Sequence, residues 1–66
     1  MTQEQLVETL QNMKRIAGNN YNDFLKQQSN AYYEKRERLA KQLGEDAVKE
    51  YSRLETINEI LELINQ

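Results

Sequence analysis

Residues 40–47 read "AKQLGEDA", and the fold turns on what the chain does at the glycine in their middle. A glycine followed by Glu45 and Asp46 has the composition of a helix end and then an acidic first turn. The apolar phase points the other way. Ala40, Leu43, Ala47, Glu50, Leu54, Ile57, Leu61 and Ile64 alternate three and four apart straight through Gly44. Running a helix through the glycine would cost only about 1 kcal/mol, which packing can offset. A rod from Asn22 to Ile64, however, would be roughly 60 Å long at 1.5 Å per residue, a shape only another chain could bury. We therefore read a break or sharp kink at Gly44, with a continuous helix as the alternative.

Toward the N-terminus, "TQEQ" at residues 2–5 has the pattern of a capping box, Thr2 accepting from a free amide and Gln5 reaching back. Leu6, Leu10, Met13 and Ala17 follow at helical spacing, widened by Val7 and Ile16, and Gly18 is placed to close that first helix. "NNYNDF" at 19–24 reads as a restart capped by Asn20, so a second helix should fold back antiparallel on the first. The expectation is one all-α domain over residues 1–66: a helical hairpin plus a C-terminal helix, three helices in a small bundle.

The last stretch is oilier than a chain of this polarity needs. Ile57, Ile60, Leu61 and Ile64, with Leu54 and Ala47, fill an arc of roughly 140° on a helical wheel; Tyr51 extends it and Leu63 falls outside. One neighbouring helix does not need so wide a face. A chain of 66 residues also has little core to work with, and disulfides, metals or association are the usual supplements. Cysteine and histidine are both absent, so association remains. The residues expected to carry it are Leu54, Ile57, Ile60, Leu61 and Ile64, in a two-fold homodimer of coiled-coil character.

Composition also bounds the chemistry. Without histidine or cysteine the ordinary general base, imidazole ligands and the commonest soft metal ligand are missing. No phosphate-binding glycine loop, nucleophile elbow, zinc motif or calcium loop occurs. The chain is read as a non-enzyme with no catalytic, cofactor-binding or metal-binding residues. Glu45, Asp46, Glu55, Glu59 and Glu62 read as a solvated face, whereas Glu50 falls in the apolar phase, where a basic partner would fix register. "TQEQLVETLQ" lacks the basic start and apolar run of a signal peptide, and no stretch suits a bilayer; a cytoplasmic setting, without membrane contact, is expected.

"YYEKRERLAK", residues 32–41, is the one stretch with a basic bias: four cations against two glutamates, set among tyrosines. Two tyrosines in succession point about 100° apart on a helix, so one of them should be exposed. Tyr33, with Arg36 and Arg38, is the expected contact for an outside partner. These features together suggest a small regulator, adaptor or inhibitor that binds a larger protein stoichiometrically. The alternative is nucleic-acid binding by the basic face of the second helix, residues 32–41, although a local charge of +2 is small for counterion-driven affinity.

Overall fold

Thr2 starts the first helix as its sequence implies. Its hydroxyl accepts from the Gln5 amide at 3.2 Å, and its own amide donates to Gln5 Oε1 at 3.0 Å. The computed structural model describes residues 2–65 and places them in two helices, not three: α1, Gln3–Tyr33, and α2, Glu37–Ile64. Among the described residues there is no strand. Both glycines lie inside helices, and neither has a positive φ. The expected helix end at Gly18, the restart at Asn20 and the break at Gly44 are therefore all absent. In each case tertiary packing along a continuous apolar phase outweighs a glycine's weak helix propensity.

The chain reverses where no glycine, asparagine or proline stands. Lys35 takes the left-handed conformation with φ 60°. The Arg36 amide donates to the Ala31 carbonyl at 2.8 Å and the Lys35 amide to the Tyr32 carbonyl at 3.0 Å. Those two bonds form a Schellman closure, with lysine at the position glycine normally holds. Arg36 then opens α2 by accepting from the Ala40 amide at 2.9 Å, with no side-chain cap. Glu34 and Arg38, which helical spacing would pair, fall on different sides of this turn; Glu34 instead meets Arg36 at 3.3 Å.

The helices pack antiparallel along a heptad seam. On α2 it follows the phase from Ala40 to Ile64. On α1 it runs Val7, Leu10, Lys14, Ala17, Tyr21, Phe24, Gln28 and Ala31, one position off the stripe that Leu6 and Met13 suggest. Register is fixed at several levels. Gln3 Nε2 reaches the Ile64 carbonyl at 3.5 Å. Leu10 clusters with Ile57 and Leu61, joined by Val7 and Ile64. The rings of Tyr21 and Tyr51 lie 5.5 Å apart. Near the turn, Ala31, Ala40 and Leu43 cluster with Phe24.

This core is thin. Among the described residues, four of the eight that are buried are alanines, and no polar or charged residue is buried as a whole. The molecule measures 48 × 14 × 14 Å, with a radius of gyration of 15.0 Å. A compact domain of this length would have a radius of about 11 Å. Its exposed area is 5387 Å². Area scaling for folded monomers of 7.9 kDa gives about 4,400 Å², so the hairpin shows on the order of 1,000 Å² more than a globular fold of its mass.

Candidate functional site

The hairpin has a tip, two flanking sides and an end where both helices begin and finish. Tyr33, Arg36 and Arg38 all lie at the tip end, on the last turn of α1, the helix cap and the first turn of α2, with Tyr33 and Arg38 on the outer faces of their own helices. Tyr33 is 90% exposed. Arg36 is exposed too, in a loose pair with Glu34. Residues 32–41 thus wrap around a turn, and the single helical face that a basic strip would require is not formed.

The five aliphatics expected to associate divide between two roles. Ile57 and Leu61 are buried against Leu10 in the chain's own seam, and Ile64 packs on that cluster. Leu54 is half-buried in the same phase, and Ile60 alone is exposed, at 38%. The wide apolar arc of the C-terminal helix does serve two directions, but most of it faces α1.

Heptad letters sort the remainder, taking Val7 and Ala40 as position a of their helices. In an antiparallel pair the g positions of both helices flank one side of the seam and the e positions flank the other. On the g side, in the half nearest the helix ends, lie Leu6, Met13 and Ile60, with Ile16 and Leu63 one turn farther out on the c positions. These five are between 38% and 68% exposed. The other residues at the g and c positions there are Thr9 and Thr56, so the surface carries no charge until Arg53. Thr56 directs its hydroxyl inward to the Ser52 carbonyl at 3.0 Å. Across the seam, the e and b positions of the same half carry Glu4, Glu8, Glu55 and Glu62 with one cation, Arg15, all exposed.

The e side differs nearer the tip. An open groove of about 550 Å³ runs past Gln28, Tyr32, Gly44 and Val48, floored by the glycine that gives Gln28 room. Its rim carries Lys41, Glu45 and Lys49, both charge signs.

Glu50 sits in the seam with its side chain 19% exposed. Its Oε2 is buried and accepts no hydrogen bond; the nearest cation is Arg53 of the same helix, at 3.9 Å. The basic partner expected for it is thus one turn along α2, and not on the facing helix. Among the described residues, no three carboxylates converge as a metal site would require, and no helix is long and apolar enough to cross a membrane.

Sequence spacing pointed to Tyr33 but not to the g-side surface. The signal was present as two apolar stripes on α1 offset by one residue, Leu6 and Met13 beside Val7 and Leu10. A helix needs only one such stripe to pair with one neighbour. No family model, curated protein or solved structure matches the chain.

Proposed function

We propose that this chain is a non-enzymatic protein-binding factor, a regulator, adaptor or inhibitor that acts stoichiometrically on a larger protein and works as a homodimer in the cytoplasm. The observation that carries the reading is the excess exposed area of a hairpin half of whose buried residues are alanine. Stable protein interfaces remove about 800 Å² from each partner, close to that excess. A surface of this kind is made for association, and nothing in the side-chain inventory supports chemistry.

The tip is the proposed contact for the larger partner. Tyrosine and arginine dominate interface hot spots because each combines contact area with directional polar groups. Tyr33, Arg36 and Arg38 lie at the same far end of a 48 Å rod, clear of the seam. Nucleic acid remains the rival ligand for the same cations.

Affinity capture from cells of the source organism tests the reading, comparing wild type with a Tyr33→Ala/Arg36→Asn double variant. One protein retained near one-to-one, resistant to nuclease and moderate salt and lost with the variant, is the expected result. Retention of nucleic acid that collapses between low and moderate salt would transfer the tip to the rival reading. Equal recovery with both baits would remove the tip from the proposal.

A further inference from the structure

We infer that the uncharged g-side surface of the terminal half, Leu6, Met13, Ile16, Ile60 and Leu63, is where a second copy of this chain docks, two-fold and face to face. The inference rests on the homodimer reading above and specifies the surface that reading leaves open.

Four observations converge on this face. The first is chemical asymmetry. One side of the terminal half presents five aliphatic or thioether side chains and two threonines, whereas the other presents four carboxylates and an arginine. A helix pair that stood alone in water would have no reason to segregate its charges so sharply. The second is Thr56, whose hydroxyl is satisfied by its own helix, so packing over it strands no polar group. The third is area: the elongated hairpin as a whole shows more surface than a globular monomer by about what one partner buries in a standard interface, and its largest uncharged apolar share lies on this side.

The fourth concerns the occupant. The excess exposure belongs to the folded hairpin itself, so it needs cover wherever the chain is folded, and the one molecule always present then is another copy. A two-fold contact brings a surface against itself, which demands that it not repel itself. From the helix ends to Arg53, which borders it beside Ile16, this face has no charge to repel. It also offers no cation for a phosphate or an anionic headgroup. With the faces together, Glu4, Glu8, Glu55 and Glu62 of both copies stay on the outside, and Ile60, lying axially between Leu6 and Met13, sits near the centre of the contact. The result is a four-helix core at the end where each hairpin's helices begin and finish, with both tips left free.

Sedimentation equilibrium distinguishes the inference from the reading beneath it. Wild type is expected to be a dimer. Leu63→Lys and Ile16→Lys alter well-exposed positions, so each is expected to remain helical by circular dichroism yet sediment as a monomer. Leu63→Lys mixed with Leu63→Glu is expected to restore the dimer. Leu63→Ala and Ile16→Ala keep the face uncharged, guard against a lysine variant that does not fold, and should each weaken dimerisation at least about tenfold, the effect of losing one well-packed contact. Val48→Lys, on the opposite side, should leave the dimer intact. A monomeric wild type at high concentration overturns both the homodimer and this face. A dimer that is indifferent to Leu63 and Ile16, or that Val48→Lys splits, overturns the face alone.

Discussion

A β-carbon added to Gly44 would stand 2.5 Å from Nε2 of Gln28 on the facing helix, whereas one added to Gly18 would meet nothing within 4 Å. Both glycines are interior to helices, where alanine is favoured by about 1 kcal/mol. Gly18→Ala should therefore gain that amount in full. Gly44→Ala should gain less, because Gln28 must first swing its amide toward solvent. Urea midpoints at one fixed protein concentration check the order, and a larger gain at Gly44 than at Gly18 would contradict the packing described.

Lys35 carries the opposite burden. A residue with a β-carbon in the left-handed region costs about 1–2 kcal/mol, which glycine avoids. Lys35→Gly should stabilise the hairpin by about 0.5–1 kcal/mol once the greater freedom of glycine in the unfolded chain is subtracted. The measurement is the same urea midpoint, and a loss of stability would mean that the lysine side chain makes a contact that matters more than its backbone strain.

Glu50→Leu removes a buried carboxylate oxygen that has no hydrogen bond and places an aliphatic in phase with the seam. Unsatisfied buried polar groups cost about 1–3 kcal/mol, and a domain this small gains roughly 4–8 °C in Tm per kcal/mol. Thermal melts should shift upward accordingly. Register should become less certain, since a lone polar residue in an apolar seam discourages slipped pairings. Doubled amide resonances in an NMR spectrum of the variant would report that slippage.

Thr2→Ala removes the side-chain half of the N-terminal capping box, the bond its hydroxyl accepts from the Gln5 amide, and leaves the backbone amide of residue 2 free to donate to Gln5 Oε1. The expected cost is about 0.5–2 kcal/mol, felt first as faster hydrogen exchange in the opening turn of α1. Unchanged exchange at Gln5, whose amide the threonine accepts from, would show that the cap contributes nothing.

What the amino-acid order discloses, and what it conceals, follows from which forces are local. The α2 seam can be read from Ala40 to Ile64 because each member repeats at heptad spacing, and the capping box can be read because it is made within four residues. The α1 seam is obscured by Lys14 and Gln28, polar residues in apolar phase, and by Leu6 and Met13, apolar residues outside it. The reversal at Lys35 leaves no trace in residue type: the chain puts glycine where helices continue and lysine where they stop. Three helices were the natural expectation from that punctuation. Two form because the unbroken seam on each helix outweighs the preference of any single residue. That at least one of Tyr32 and Tyr33 would be exposed was legible because adjacent tyrosines cannot share one helix face; both are exposed.

The bond between Gln3 and Ile64 brings the first and last turns of the hairpin side by side. A polypeptide entering at one would leave at the other almost where it came in, so residues 2–65 could be spliced into a surface loop of a carrier protein with little distortion of the host. Such a graft would stand out as a stalk about 48 Å tall with Tyr33 at its summit. It would also crowd the aliphatic base against the carrier.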